Sequence, residues 1–238
     1  MWNDAWTLSL LARLVVVATL AFAVYTVTRG LAERYLPIRQ VQVVGASHPE
    51  TRMTVARIVP TLRGSLFSMD IDATRASFEA IPWVRRAQIS RIWPSRLRID
   101  LDEQVPAAAW NGTAVLNVHG ETYPVKPWPG LPDFHAPDGM ETLVAKHYGE
   151  YAAMLGGHGL RIVGLRVDAR HAWRLTLRGN EGGDLGVDLG RERMTERLRR
   201  FLDFYPLVAS HAGTLRRVDM RYPNGFAVES GPATESKT

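Results

Sequence analysis

The chain has 238 residues, 46% of them apolar and 22% charged, which excludes both a wholly disordered chain and a polytopic membrane protein. The net charge of +5 and the pI near 9.8 suggest nucleic-acid binding, but the arginines are spread along the chain and offset by nearby Asp and Glu. Because cysteine is absent, a disulfide framework, a thiolate zinc site and a cysteine nucleophile are excluded as well.

Residues 8–28 are predicted to form a single transmembrane helix, with residues 1–7 as a short segment before it, which the family resemblance described below implies is cytoplasmic. The run from Leu8 to Val27 contains one charge, Arg13, and its twenty residues would span about 30 Å as a helix, the thickness of a bilayer core. The alternative is a cleaved signal peptide with its cleavage site at Ala21-Phe22-Ala23. The apolar run continues beyond that site, which favours an uncleaved anchor.

After a connector at residues 29–35, residues 36–105 are predicted to form a domain in the order β-α-α-β-β. A β-rich run at residues 38–44 precedes two helical patterns at 51–61 and 72–80, the second with Asp72 as its N-cap. A hairpin follows, with its turn at 93–95 and apolar residues alternating with charged ones beyond it. This order resembles the POTRA domain, a small docking module of proteins that work on the outer side of a bacterial membrane.

Residues 106–230 are predicted to form a second domain with a largely antiparallel sheet and two helices, which makes the fold class α+β. Proline at 106 disfavours continuing a paired strand and marks the boundary. A loop is expected at 126–137, the second helix is expected to end near Pro206, and residues 231–238 are expected to be a disordered tail. Strands are predicted at 114–118, 121–125, 160–167, 172–177, 185–189, 214–220 and 226–229, and helices at 141–155 and 191–205.

The sequence advertises no catalytic or metal site. The seven histidines show neither HExxH nor a paired i, i+4 spacing, and no G-x-S-x-G, P-loop or G-x-G-x-x-G is present. His147 lies on the apolar stripe of its predicted helix, which favours a packing role. The arginine-rich helix at 191–200 also contains acidic residues, which favours a solvated face over a lipid-binding patch. We therefore predict a binding protein, neither an enzyme nor one with a cofactor.

The last predicted strand, 226–229, indicates where a partner could bind. No strand follows it, and a terminal strand is often an edge strand, whose unpaired N–H and C=O groups can accept a foreign strand. The strand carries no lysine or proline that would block such pairing. The alternative is that the tail or a loop covers this edge.

Short motifs in order along nearly the whole chain resemble the FtsQ/DivIB family of bacterial cell-division proteins, most closely its proteobacterial branch. The fragments that carry the resemblance are 82–85 (PWVR), Trp93-Pro94 with Leu97, 103–107 (EQVPA), Asn117 with Gly120 and Tyr123, Leu131-Pro132 with Pro137 and Gly139, Trp173 with Leu175, Leu189-Gly190, Arg197-Leu198 with Arg200-Phe201, and 218–222 (VDMRY).

The resemblance implies a noncatalytic divisome scaffold in the inner membrane at the septum, with its amino terminus cytoplasmic and its two domains periplasmic. The positive-inside rule argues for the opposite orientation, since Arg29, Arg34 and Arg39 follow the span while only Arg13 and the amino terminus precede it. The family binds the small coiled-coil proteins FtsB and FtsL, and FtsB adds a strand to the last strand of the second domain. Carried over by position, the binding residues are Arg170, Tyr222, Asn224, Gly225, Phe226, Ala227 and Val228.

One departure and one alternative accompany this interpretation. Family members often have Gly-Trp after the last strand, whereas this chain has Glu229-Ser230, which leaves open whether Phe226 replaces the aromatic anchor. The alternative function is a POTRA-type periplasmic module for chaperoning or translocating extended polypeptides. Such proteins normally have several POTRA domains or an outer-membrane barrel.

Overall fold

The computed structural model describes residues 5–35, 37–66, 68–179, 183–211, 215–223 and 225–230. The chain divides between Gln104 and Val105 into two compact units. Asn224 of the predicted binding site, residues 1–4 of the predicted cytoplasmic segment and the predicted tail at 231–238 lie outside the described residues.

Helix α1 (Ala5–Tyr35) contains the predicted span and extends beyond it at both ends. Its apolar window, Ser9–Thr28, has a mean hydropathy of 2.2 and is long and apolar enough to cross a membrane. Within this window the hydroxyls of Thr19 and Thr28 donate to carbonyls one turn back, both at 2.8 Å, so these polar groups are satisfied inside the helix. The predicted connector at 29–35 is also helical, because nothing in it stops a helix before Pro37.

The first domain has the predicted β-α-α-β-β order. Strand β1 parallels β3 and β2 runs antiparallel to β3, so β3 is central. Phe78, Leu97 and Ile99 are fully buried in the core between the helices and this sheet. The elements are β1 (Gln40–Val44), α2 (Pro49–Ile58) with a 3-10 turn (Val59–Thr61), α3 (Ile71–Glu79), β2 (Val84–Ile92) and β3 (Arg96–Glu103).

The N-cap predicted for α3 is wrong by two residues. Asp70, not Asp72, caps the helix, and its Oδ1 accepts hydrogen bonds from the backbone N–H groups of Asp72 and Ala73, both at 3.0 Å. Asp72 instead lies in the first helical turn, where its carboxylate pairs with Arg75 at 2.9 Å. Both aspartates suit a helix start, and only the backbone geometry distinguishes them.

The second domain contains a nine-stranded sheet in the order β12-β11-β10-β9-β8-β7-β4-β5-β6. Neighbours are antiparallel at five junctions and parallel at three, as the largely antiparallel prediction requires. The elements are β4 (Pro106–Trp110), β5 (Ala114–Asn117), β6 (Thr122–Tyr123), β7 (Asp133–His135), α4 (Glu141–Gly156), β8 (Arg161–Val167), β9 (Trp173–Arg178), β10 (Asp184–Gly190), α5 (Met194–His211), β11 (Leu215–Asp219) and β12 (Ala227–Ser230).

Three features of this domain differ from the prediction. Strand β4 was missed, because Pro106 occupies the first position of a strand, where a missing N–H is tolerated. Strand β7 lies inside the predicted loop at 126–137 and joins β4 to β8 through parallel pairs. Helix α5 continues through Pro206, whose fixed φ is compatible with a helix although its missing N–H costs one hydrogen bond.

His147 has the packing role that its position predicts. On α4 its ring lies 5.3 Å from that of Tyr151 and 5.1 Å from that of Trp173, measured between centroids. Its Nδ1 is 3.2 Å from a carboxylate oxygen of Glu150 on the same helix. The histidine therefore links α4 to the sheet.

Candidate functional site: the open edge of the second sheet

Strand β12 is the first strand in the sheet order and pairs with β11 alone among the described residues. The register places Ala227 opposite Asp219 and Val228 opposite Val218. All four residues of β12 are exposed. In the part of the chain that the structure describes, the side of β12 that faces away from β11 is therefore an open edge.

The direction of the backbone groups on β12 follows from the neighbouring strands. The N–H of Met220 donates to the carbonyl of Asp188 on β10 at 2.9 Å, so the backbone groups of Asp219, one residue earlier, face β12. The backbone groups of Ala227, which pairs with Asp219, therefore face β11. Because the direction alternates along a strand, the N–H and C=O of Val228 point outward from the sheet.

An apolar strip lies beside this edge, formed by Phe204, Phe226 and Val228. The ring of Phe226 packs against that of Phe204 on α5, with centroids 5.7 Å apart and planes at 41°. Phe204 remains 44% exposed and Val228 37%, so a strand added at the edge would find apolar surface next to it. Phe226 itself, just before β12 begins, is half-buried.

Two arginines of α5 hold the turn that leads into β12. Arg200 donates from Nη1 to the carbonyl of Pro223 at 2.6 Å and from Nη2 to that of Tyr222 at 3.3 Å. Arg197 donates from Nη2 to the carbonyl of Arg221 at 3.3 Å, and from Nη1 to the carbonyl of Leu189 on β10 at 2.6 Å. These side chains were interpreted from the sequence as part of a solvated face, because a carbonyl more than twenty residues away leaves no local signal. They are positioning residues for the edge strand.

The structure brings most of the predicted binding residues together, and one lies apart. Tyr222, 55% exposed, precedes the half-buried Gly225, and both lead into the edge strand. Arg170 lies in the tight turn before β9, where its N–H donates to the carboxylate of Asp168 at 2.8 Å. This turn is at the same end of the sheet as Ala227, but β9 and β12 are three strand spacings apart, about 14 Å.

A buried ion cluster that the sequence did not indicate ties together the strands behind the edge. Asp188 on β10 is 5% exposed and accepts hydrogen bonds from Arg174 on β9 and from Arg217 on β11. The Nε of Arg217 is 2.7 Å from Oδ2 of the aspartate. In the sequence this cluster appears only as arginines at alternate strand positions. Solvent-exposed arginines show the same pattern equally often.

Replacing Asp188 with asparagine should lower the free energy of unfolding by about 2 kcal/mol, because two charge-assisted hydrogen bonds lose their anionic acceptor. Both arginines are about half-exposed and can turn to solvent, which keeps the loss below that for a fully buried pair. The measurement is urea unfolding. The matched control is Asp184→Asn on the same strand, whose exposed pair with Arg178 should be worth less than about 1 kcal/mol. Equal losses would contradict the structural role of Asp188.

At the end of β11, Arg221 binds the carboxylate of Asp219 with both Nε and Nη2, at 2.9 and 2.6 Å. The hydrogen bond from the Arg221 side chain holds the pKa of Asp219 below the ordinary value of an aspartate and raises the pKa of Arg221 in turn. The pKa of Asp219 is lower in the folded state than in the unfolded state. The ion pair therefore stabilises the fold fully above about pH 4, and this stabilisation is lost as the pH falls through the folded-state pKa. Between pH 6 and pH 2, the unfolding midpoint of Asp219→Asn should fall less steeply than that of the unsubstituted protein. Parallel pH dependences of the two midpoints would contradict this role of the pair.

Fold and site together define a class of protein: one long apolar helix, a small β-α-α-β-β domain, and a sheet domain whose described residues leave the last strand open. Family models match in the same order, with the FtsQ-type POTRA domain at residues 36–104 and the C-terminal domain of cell division protein FtsQ/DivIB at 108–221. The chain therefore belongs to the FtsQ/DivIB family of cell-division proteins.

Similar proteins extend over nearly the whole chain. Cell division protein FtsQ of Shewanella oneidensis is 38% identical over 98% of this chain and 87% of its own length. Its namesake in Bordetella pertussis is 33% identical over 98% of this chain and 94% of its own length. Cell division protein FtsQ of Burkholderia pseudomallei is 29% identical over 97% and 94% of the two chains. The similarity thus includes α1 as well as both domains.

Proposed function

We propose that this chain is a noncatalytic scaffold of the divisome that is anchored in the bacterial inner membrane and captures FtsB, together with FtsL, by strand addition at β12. The amino terminus lies in the cytoplasm and the two domains lie in the periplasm at the septum. The partner-binding residues are Arg170, Tyr222, Asn224, Gly225, Phe226, Ala227 and Val228.

The observation that supports strand addition is the outward direction of the Val228 backbone groups on an exposed edge strand. An edge of this kind offers a row of hydrogen-bonding groups to an extended segment, and main-chain pairing supplies the affinity. The apolar strip supplies specificity, because alternate side chains of an added strand would face Phe204 and Val228. The family's cell-division role makes a divisome partner the natural occupant.

The departure at Glu229-Ser230 changes how the strand ends. Both residues lie within β12, where Glu229 is opposite Arg217 and Ser230 is opposite Leu215. The paired region therefore extends one residue beyond the predicted strand 226–229. Because Phe226 packs against Phe204 in the same chain, the exposed Tyr222 is the better candidate for an aromatic contact with the partner.

Photocrosslinking in cells tests this function. A photoreactive amino acid at Ala227, Val228 or Glu229 is expected to give adducts that contain FtsB. Thr122 on β6 is the matched control, because β6 is the strand at the opposite edge of the same sheet and Thr122 is exposed. Adducts at β6 but none at β12 would overturn strand addition at this edge. Adducts with many unfolded outer-membrane proteins would favour the translocation module instead.

A further inference from the structure

The tip of the β2–β3 hairpin carries a large aromatic side chain that the fold does not use. Trp93 is 74% exposed, although it lies between two strands whose other apolar residues form the first domain's core. Trp83, ten residues earlier and just before β2 begins, is by contrast 8% exposed. A tryptophan exposed to this extent on a protein surface suggests a contact outside the domain.

This tip lies at the end of the first domain where the chain arrives from α1. The N–H of Arg39 donates to the carbonyl of Ser95 at 2.8 Å, so the hairpin turn is in direct contact with the first residues after the helix. The N–H of Ile38 likewise donates to the carbonyl of Gly64 at 3.2 Å, which brings the adjoining loop to the same end. Both turns are therefore held within a few residues of the point where α1 ends.

The helix places this end of the domain close to a membrane surface. The apolar window ends at Thr28, and α1 continues for seven residues to Tyr35, which adds about 10 Å along the helix axis. The headgroup layer on each side of a bilayer core is roughly 5–8 Å thick, so the end of α1 is near its outer limit. A modest helix tilt of about 20° brings the end closer still.

Arginines predominate among the charges at this end, where Asp70, the N-cap of α3, follows Met69, whose carbonyl accepts a hydrogen bond from Arg91. Four exposed arginines surround the tip, and in the part of the chain that the structure describes none of them pairs with a carboxylate. Among the described residues elsewhere in the domain, Arg75, Arg85 and Arg98 each bind an aspartate, whereas Arg52, Arg57 and Arg86 show no ion pair. The four arginines at the tip are Arg39, Arg63, Arg91 and Arg96.

We propose that this surface, the basic tip, rests on the anionic phospholipid headgroups of the leaflet in which α1 ends, with Trp93 inserted at the headgroup level. Tryptophan is the side chain that membrane interfaces favour, and clustered arginines beside a spanning helix attract anionic lipid. The proposal depends on the membrane anchoring of α1. The basic tip then restrains the orientation of the first domain above the bilayer. With α1 as its only attachment, the domain would be free to rotate.

Site-specific depth measurement on the full chain in liposomes tests the basic tip. Because the chain has no cysteine, Ser95→Cys and Ser47→Cys each give a single labelling site for an environment-sensitive fluorophore. Ser47 is exposed at the opposite end of the first sheet, about 25 Å away along β3. Vesicles of phosphatidylcholine and phosphatidylglycerol carry a nitroxide lipid quencher at headgroup depth. A label at Ser95 is expected to be quenched at least threefold more than one at Ser47.

Changes in lipid composition, in salt concentration and in the charges of the protein test the proposal further. Pure phosphatidylcholine vesicles or high salt should remove most of the difference, since both weaken the electrostatic attraction. Trp93→Ser combined with Arg63→Glu and Arg96→Glu should reduce quenching at Ser95 to the level at Ser47. Hydrogen exchange of the first domain should remain unchanged in this variant, because all three side chains are exposed.

A third label, at Leu20 in the apolar window, separates the two proposals. Equal quenching at Ser95 and Ser47, with Leu20 reached by a quencher placed deep in the acyl chains, would overturn the basic tip and leave the anchor intact. A Leu20 label that no lipid quencher reaches would overturn the anchor itself. In cells, a photocrosslinker at Ser95 that captured a protein in place of lipid would also overturn the basic tip, in favour of a protein partner.

Discussion

Replacing Val228 with proline is expected to weaken FtsB binding by about 2–3 kcal/mol, roughly 30- to 150-fold in Kd, while the second domain stays folded. The N–H of Val228 points away from β11, so its loss breaks no hydrogen bond inside the sheet. Edge strands accept proline where the missing N–H faces solvent, whereas an added strand would lose a donor and meet the pyrrolidine ring. Titration of the purified full chain with FtsB measures the change.

Ala227→Pro is the matched control for this prediction. The backbone groups of Ala227 face β11, so proline there removes a hydrogen bond of the native sheet and should lower stability. Urea unfolding and FtsB titration of both variants give a crossed pattern, with stability lost at 227 and affinity lost at 228. Unchanged affinity in a folded Val228→Pro protein would contradict strand addition.

Gly45→Ala is expected to destabilise the first domain by about 3 kcal/mol, which raises its unfolded population more than a hundredfold. Gly45 has φ +90°, and a Cβ there would overlap the backbone carbonyl of Leu101 on β3. A carbonyl in the middle of a central strand cannot move aside without breaking its pairing with a neighbour. Native-state hydrogen exchange of the β3 amides in the full chain measures the loss.

Gly64→Ala controls for backbone strain without the overlap. Gly64 also has a positive φ, +122°, but the nearest atom to its Cβ would be the Oγ of Ser68 at 3.2 Å, on a side chain that can rotate. Strain alone should cost about 1 kcal/mol. If the two alanine variants exchanged equally fast, steric overlap with β3 would not be the reason that position 45 requires glycine.

The sequence predicted most elements because their signals are local. The apolar alternation of Leu97, Ile99 and Leu101 determined β3, and the 3.6-residue stripe of residues 141–155 determined α4 within one residue. Strand β7 gave no such signal, since three residues among prolines show no period. Asp70 and Asp72 were equally suitable caps, so the helix start depended on backbone geometry that propensity does not encode.

The open edge at β12 was predicted in part from the sequence and in part became visible only in the structure. That no predicted strand follows residue 229 suggested an open edge, but the position of β12 at the border of nine strands follows from pairings that join residues far apart in the chain. The role of Arg200 and the salt cluster around Asp188 could not be predicted, because each depends on partners more than ten residues away. A basic residue in a helix pattern looks the same whether it faces solvent or holds a turn.

By itself, the sequence determined the apolar helix, the order of the two domains and the absence of cysteine, since each of these is a property of composition or of short-range period. Only the tertiary structure decided which strand borders the second sheet, which way the backbone of Val228 points and that the Trp93 turn lies beside the end of α1. The reason is physical. Periodicity follows from side chains a few residues apart, whereas edges, backbone directions and surface charge clusters arise when distant segments pack together.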